Sequence, residues 1–175
     1  MKSAFLFFTL CLTCLTGFAA SPVKSAPPAK SPEAVTKDLF EYLLAGKKDI
    51  AADKEAQARW LTKSLRQTLA EATASAAKNA KKNPTDKGEA PDNATLIGAW
   101  EAPTKYSVKT SLNSPYVALV ALKYEWGAKT NYAGDTRTMT VVLTLEDNAW
   151  RVSDIHTHAG KFCENGSLVE ELKRM

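Results

Sequence analysis

The stretch VVLTLEDNAWRVSDI, from Val141 to Ile155, decides the fold because it contains two strand patterns and the turn that joins them. Apolar and polar residues alternate as far as Leu145, and a period of two is typical of a strand with one buried face. Asp147 and Asn148 tolerate the positive φ angles of a tight two-residue hairpin turn. The stretch therefore predicts two antiparallel strands joined by that turn.

Two more strand patterns precede this hairpin. In KYSVKTSL, the apolar residues Tyr106, Val108 and Leu112 alternate with polar ones, which predicts a half-buried strand. YVALVALKYEW, which begins at Tyr116, is apolar on both faces as far as Leu122, and this pattern favours a central strand. We therefore expect a curved antiparallel meander of three to four strands.

Two helix patterns come before the strands. Ser31 is suited to cap a helix and Pro32 to fill its first position, and the apolar residues that follow recur every four positions until Gly46. The second pattern, RWLTKSLRQTLAEATASAAKNA, starts at Arg59 and has Thr62 as a candidate cap. Two N-terminal helices followed by a meander indicate an α+β domain with the helices packed on one face of the sheet.

The N-terminal residues carry a targeting pattern. Residues 1–19 have a lysine near the start, then an apolar run too short to cross a membrane as a helix, then small residues. This layout predicts a signal peptide cleaved near Ala19 and a secreted or periplasmic protein. Residues 20–32 are rich in proline and predict a disordered tether, so we expect the folded domain over residues 33–175. No later stretch is long and apolar enough to predict a membrane span.

Charge and motifs exclude several functional classes. The formal net charge is +4, and the lysines are scattered among acidic residues, so a nucleic-acid surface is not predicted. The sequence has no Walker loop, no GxSxG motif and no HExxH motif, so the recognisable enzyme classes are absent. We predict no cofactor.

Four stretches carry a resemblance to a known group: WLTKSL at 60–65, GAWEAPTKYSV at 98–108, VVLTLEDNAWRVSDI at 141–155 and SLVEEL at 167–172. Their order resembles that of exported bacterial domains of unknown function in the nuclear-transport-factor-2-like superfamily, whose cone-shaped α+β fold is also similar to that of cystatins. The resemblance implies a pocket between sheet and helices and a homodimer formed through the sheet. It implies no particular reaction.

The stretch DIHTHAGKFCENG, which starts at Asp154, contains residue types that bind transition metals. On a straight strand, Asp154, His156 and His158 share one face, and Cys163 follows closely enough to supply a further ligand. The alternative is a bulge near Asp154, because Ile155 breaks the apolar register of the strand. With the bulge, Ile155 turns inward and both histidines turn outward. We favour this reading, a strand end without a metal site, and keep metal binding as the second alternative function.

Five residues are candidates for binding a small ligand or a partner protein: Tyr106, Tyr124, Trp126, Asp154 and His156. Trp126 is expected at the rim of the domain, because it follows polar residues at the end of the central strand. Asp154 and His156 also form the acid and imidazole pair that a small hydrolase- or isomerase-like enzyme would use. No spacing requires such chemistry. A non-catalytic binding module, acting through the cone pocket or the sheet face, is therefore the leading hypothesis.

Overall fold

The computed structural model describes residues 28–83, 90–99, 101–158 and 165–175. Within them, the helices are α1 (Pro32–Ala45), α2 (Lys54–Trp60), α3 (Lys63–Lys82), α4 (Asn93–Ile97) and α5 (Leu168–Arg174). The strands are β1 (Lys105–Asn113), β2 (Val117–Glu125), β3 (Thr136–Glu146), β4 (Ala149–Thr157) and β5 (Gly166–Ser167). All neighbouring strands pair antiparallel in the order β1-β2-β3-β4-β5, which confirms the predicted α+β class with an antiparallel meander. The predicted signal peptide, most of the predicted tether and Cys163 lie outside the described residues.

The hairpin of β3 and β4 forms where the sequence predicts it. Asp147 and Asn148 join the two strands with φ angles of 49° and 59°. Both residues are in the left-handed region, as a tight turn between twisted antiparallel strands requires. The turn prediction is confirmed.

The sheet has one strand more than the three to four expected. β5 is two residues long and pairs with the end of β4, with His156 opposite Ser167 and Thr157 opposite Gly166. Two residues are too few to show a period of two in the sequence. The expected number of strands was therefore wrong.

The predicted helix caps are confirmed. Ser31 accepts a hydrogen bond from the Ala34 N–H at 3.2 Å, and Thr62 accepts one from the Leu65 N–H at 3.2 Å. α1 ends at Gly46, whose φ of 59° is the left-handed conformation that terminates many helices. The sequence did not predict α2, α4 and α5, which have 7, 5 and 7 residues and are too short for a helical period to be recognised. None of the helices in the described part of the chain is long and apolar enough to cross a membrane.

A β-bulge in β4 decides which of its side chains are buried. Ser153 has no opposite residue, because the residues on either side of it pair with Leu143 and Val142. The alternation of side chains shifts by one at this point. Ile155 is buried as a result, and His156 is exposed. The predicted bulge and the outward histidines are confirmed.

A second bulge overturns an expectation for β1. Thr110 pairs with Val120 but Leu112 pairs with Leu119, so Ser111 is the extra residue. Leu112 therefore lies on the opposite face from the half-buried residues of β1 and is 51% exposed. The prediction that Leu112 shares their face was wrong.

The buried face of the sheet, called the inner face below, carries alternate residues of the middle strands. α1 contacts β1, β2 and β4, and α3 contacts β4 and α5. The strand residues of the core are Ala118, Val120, Leu122, Tyr124, Met139, Val141, Leu143, Trp150, Val152 and Ile155.

The two edges of the sheet differ. The outer edge of β4 is covered by β5 at one end and by Leu61 at the other. There the Thr62 N–H donates a hydrogen bond to the Val152 carbonyl at 2.9 Å. β1 has no strand beyond it among the described residues, and the exposed Lys105 and Lys109 lie on it, as is typical of an edge strand. Glu33 of α1 accepts a hydrogen bond from the Thr110 N–H of β1 at 2.6 Å.

Candidate ligand-binding site

Three side chains form a row across the inner face at one end of the sheet. Tyr106 on β1 lies opposite Tyr124 on β2, and Tyr124 lies opposite Arg137 on β3. Tyr124 is fully buried and Arg137 is 2% exposed, whereas Tyr106 is half-buried. An arginine therefore occupies a position of β3 where the phase of the strand calls for an apolar core residue.

Aromatic rings surround the Arg137 guanidinium. Its Cζ atom lies 5.4 Å from the centroid of the Trp126 ring and 5.7 Å from that of the Tyr132 ring. The Trp126 ring is edge-on to Tyr124, with 5.7 Å between centroids. Rings in these positions attract the cation through their π faces. Asp135 is buried beside these rings, because its backbone is hydrogen-bonded to Trp126 and Tyr132. We call Tyr124, Trp126, Tyr132, Asp135 and Arg137 the Tyr124–Arg137 cluster.

Trp126 is not at the rim of the domain, which corrects the expectation from the sequence. It is 4% exposed, and its indole N–H donates a hydrogen bond to the Glu101 carbonyl at 3.0 Å. The chain turns back after β2, so that the Trp126 backbone N–H donates to the Asp135 carbonyl at 3.3 Å. This turn and the segment at Glu101 enclose the ring.

The Arg137 guanidinium is only partly satisfied. Its Nη1 donates a hydrogen bond to the Gly98 carbonyl. Its Nε has no hydrogen-bond partner, and it forms no ion pair with any carboxylate of the described residues. A buried charge without a counter-ion costs on the order of several kcal/mol. Within the described part of the chain, this charge has no ion-pair partner.

Two further polar atoms of the cluster are buried without a partner, the Tyr124 hydroxyl and Asp135 Oδ2. With Arg137 Nε, they make three of the four buried side-chain N and O atoms that lack a hydrogen bond among the described residues, and Arg66 Nε is the fourth. Buried polar atoms are normally hydrogen-bonded, and exceptions indicate a bound water, an ion or a functional role. Their concentration in one cluster marks it as the candidate ligand-binding site.

The Tyr124 hydroxyl is available as a hydrogen-bond donor. Burial raises its pKa well above the ordinary value of 10.0, and the nearby Arg137 charge opposes this shift in part. The hydroxyl is therefore protonated at neutral pH. Phe40 of α1 lies edge-on to the Tyr124 ring, with 6.0 Å between centroids, so α1 encloses the tyrosine.

Tyr106 belongs to the row, but its hydroxyl is already engaged. It donates a hydrogen bond to Glu41 Oε1 on α1 at 3.2 Å. Burial, and then the Glu41 charge, raise the pKa of Tyr106. Tyr106 thus borders the Tyr124–Arg137 cluster without contributing an unpartnered atom.

Asp154 and His156 lie on the opposite face of the sheet from the cluster. Asp154 Oδ1 accepts hydrogen bonds from the backbone N–H groups of Ile155 at 2.8 Å and Val169 at 3.1 Å. Its Oδ2 accepts one from the Ser167 hydroxyl at 2.7 Å. His156 Nε2 is 3.2 Å from the same oxygen, and the His156 side chain is 46% exposed. Asp154 therefore fastens the start of α5 to β4, and the structure does not bring these two candidates together with Tyr124 or Trp126.

The proposed metal ligands are distributed as follows. His158 is exposed, and its Nε2 lies 2.8 Å from Thr140 Oγ1. Residues 28–83, 90–99, 101–158 and 165–175 contain no group of three or more His, Cys, Asp or Glu side chains placed to hold a metal ion. Cys163 lies outside these ranges.

Sequence reasoning missed Arg137 and Asp135. The signal for Arg137 was present, because it has the same phase on β3 as the apolar residues Met139 and Val141. A charged residue in the apolar phase of a strand predicts a buried charge. Asp135 precedes the strand, and only the folded loop shows that it is buried.

Comparison of the chain with known protein families, with curated proteins and with solved structures finds no match. The resemblance to the nuclear-transport-factor-2-like superfamily therefore stays a prediction. The function of the chain is accordingly inferred from the geometry of its own residues.

Proposed function

We propose that the chain is an exported, non-catalytic binding module that takes a small ligand at the Tyr124–Arg137 cluster. The observation that supports this is the set of buried, unpartnered polar atoms on Tyr124, Asp135 and Arg137, together with the Arg137 guanidinium over the rings of Trp126 and Tyr132. Sites for small molecules combine mostly apolar walls with a few polar groups that orient the ligand. The cluster has both parts.

Stability alone does not account for Arg137. An apolar side chain at this position would avoid the cost of an uncompensated buried charge. The hydrogen bond to Gly98 and the contacts with Trp126 and Tyr132 offset only part of that cost. A ligand that accepts a hydrogen bond from Arg137 Nε would account for an arginine at this buried position.

The enzyme alternative, based on Asp154 and His156, is not favoured by the geometry. Both Asp154 oxygens already accept hydrogen bonds from β4 and from the start of α5. Ser167 is the hydroxyl next to this pair, and a nucleophilic serine would have to donate its proton to the imidazole of His156. It donates to the Asp154 carboxylate instead. In this arrangement Asp154 links β4 to the start of α5.

Export rests on the sequence of residues 1–19, which precede the described part of the chain. N-terminal sequencing of protein recovered from the periplasm or the culture medium tests it. We expect the mature chain to begin at Ala20. A chain that still carries Lys2 would contradict the proposal of cleavage.

The proposed binding site is tested by titrating a fragment library into protein labelled with ¹⁵N on its tryptophans. Ligands of the cluster should shift the indole resonance of Trp126, assigned through Trp126→Phe. Trp60 is the internal control, because it packs against Tyr42 with 4.9 Å between ring centroids and is not part of the cluster. A library whose ligands shift only Trp60, or no tryptophan at all, would contradict a ligand site at the cluster.

The face of the sheet opposite the inner face supports a second candidate function, self-association. Large apolar side chains are exposed at the turn between β1 and β2: Leu112, Tyr116 and Val117. They adjoin β1, which has no strand beyond it among the described residues, so a second copy related by a two-fold axis would cover the apolar patch and the edge strand together. Sedimentation equilibrium of the wild type and Leu112→Lys tests this. A wild-type dimer that the variant loses would support it, and a wild-type monomer at high concentration would contradict it.

A further inference from the structure

Arg137 discriminates most strongly between ligands of the Tyr124–Arg137 cluster, because its charge is permanent. Guanidinium groups in proteins carry a positive charge throughout the ordinary pH range. Asp135, the carboxylate of the cluster itself, forms no ion pair with Arg137 and leaves Oδ2 without a hydrogen bond. The described residues therefore supply no counter-ion for this cation.

The unpartnered donors of the cluster suit a carboxylate. Arg137 Nη1 is engaged by the Gly98 carbonyl, whereas Nε is unpartnered. Nε lies on an edge of the guanidinium that binds the two oxygens of a carboxylate through parallel hydrogen bonds. The protonated Tyr124 hydroxyl is a second donor, on the residue directly opposite Arg137 in the sheet.

The surrounding rings favour a flat, apolar body attached to that carboxylate. Trp126 and Tyr132 lie against each other with 5.2 Å between centroids and an interplanar angle of 45°. Aromatic side chains also bind the rings of ligands by stacked or edge-on contacts. We infer that the ligand of the cluster is an aromatic carboxylate, with Arg137 as its counter-ion and Tyr124 as a second hydrogen-bond donor. This inference rests on the proposed binding function.

Two probes of the same shape and different charge test the inference. Isothermal titration of the full-length protein with benzoate and with benzamide compares a carboxylate with its neutral amide. Benzoate should bind at least about tenfold more tightly, because only the carboxylate compensates the buried cation.

Variants then assign the preference to Arg137. Arg137→Met should abolish the preference for benzoate, and Arg137→Lys should keep part of it, because an ammonium retains the charge but not the paired donors. Arg59→Met is the matched control. Arg59 is an exposed arginine whose Cζ lies 5.3 Å from the Trp60 ring centroid, so its loss should leave benzoate binding unchanged.

Tyr124→Phe keeps the test decisive if Arg137→Met does not fold. This change removes one oxygen from a buried ring and should weaken benzoate binding several-fold, with near-ultraviolet circular dichroism unchanged. Equal affinity for benzoate in wild type and Tyr124→Phe would overturn the role assigned to the hydroxyl.

The other outcomes separate the inference from the proposed function. If benzamide binds as tightly as benzoate, or if neutral fragments shift Trp126 and benzoate does not, the cluster is a binding site but the carboxylate inference is overturned. Phenyl phosphate that binds in place of benzoate also overturns it. If no probe of any charge shifts Trp126, both the inference and the proposed function fail.

Discussion

Asp154 on β4 and Arg137 on β3 are both charged residues of the sheet, and their surroundings are opposite in kind. The Asp154 carboxylate accepts hydrogen bonds from Ile155, Ser167 and Val169. Arg137 lies on the other face, with an unpartnered Nε and no ion pair among the described residues. Both Asp154 oxygens are engaged in holding elements of the chain together. Arg137 uses only Nη1 in this way, through the Gly98 carbonyl, and leaves Nε without a partner.

This difference separates a structural polar group from a candidate binding group. Removal of a satisfied carboxylate leaves backbone donors without an acceptor and lowers stability. A partly satisfied guanidinium costs stability, and under the proposed function a ligand would supply its missing partner. Residue type alone would suggest that Asp154 is the functional residue, since an aspartate beside a histidine is common in catalytic sites.

The largest expected effect is on Asp154. Asp154→Ala should lower the free energy of unfolding by about 3 kcal/mol, because it leaves the Val169 N–H and the Ser167 hydroxyl without their acceptor. Urea unfolding measures the change. His156→Ala, on the exposed neighbour, should change stability by less than about 0.5 kcal/mol. Equal losses of unfolding free energy in the two variants would contradict a structural role for Asp154 that His156 does not share.

Burial of the Tyr124 hydroxyl should make the stability of the protein depend on alkaline pH. Burial raises its folded-state pKa above the ordinary 10.0, so the folded protein keeps a proton that the unfolded chain loses. The associated stability is complete below about pH 10 and is lost as the pH rises. Between about pH 9 and pH 11, the wild type should lose on the order of 1 kcal/mol more than Tyr124→Phe. Parallel urea titrations of the two proteins would refute a buried hydroxyl if the losses were equal.

A pair of tyrosines gives a sharper comparison at neutral pH. The Tyr42 hydroxyl donates a hydrogen bond to Asp53 Oδ2 at 3.0 Å, whereas the Tyr124 hydroxyl has no partner among the described residues. Tyr42→Phe should therefore cost about 1 kcal/mol, and Tyr124→Phe should be neutral or slightly stabilising. Thermal unfolding of both variants checks this. A loss of more than about 1 kcal/mol in Tyr124→Phe would show that the hydroxyl is satisfied in the folded protein.

The smallest expected effect is that of a chelator. The melting temperature should not change on chelation, because the described residues place no set of three metal ligands together and Asp154 is already hydrogen-bonded. A calorimetric scan with and without chelator, together with elemental analysis of untagged protein, provides the measurement. Stoichiometric zinc or copper whose removal lowers the melting temperature would restore the metal hypothesis for His156, His158 and Cys163.

Local rules of sequence predicted much of the fold. The caps at Ser31 and Thr62 and the turn at Asp147 and Asn148 depend only on neighbouring residues, and each is found in the structure. The bulge in β4 was also predictable, because Ile155 is out of phase with the strand before it. The bulge in β1 was not predictable from the sequence. Thr110 and Ser111, the residues before Leu112, are both polar and are tolerated on either face of an edge strand.

The candidate site was only partly predictable. Tyr124 was identified because aromatic residues on a strand are binding candidates, but the sequence does not show that its hydroxyl lacks a partner. An Asp154 that accepts backbone hydrogen bonds was an alternative compatible with the sequence, and the structure confirms it. Its distant partners Ser167 and Val169 could not be named, because they lie 13 and 15 residues further along the chain. Satisfaction of a polar group depends on tertiary contacts, so it becomes visible only in the folded chain.

Coverage of the outer edge of β4 by Leu61 and β5 limits how copies of this chain can polymerise. Two chains that paired their β1 strands antiparallel about a two-fold axis would form one continuous sheet, and both of its remaining edges would be covered β4 edges. Among the described residues, only the two-residue β5 would then remain at an edge to template a third chain. For this part of the chain, strand pairing between folded molecules therefore favours two copies, and growth of a fibre would first require β5 or the Leu61 segment to detach.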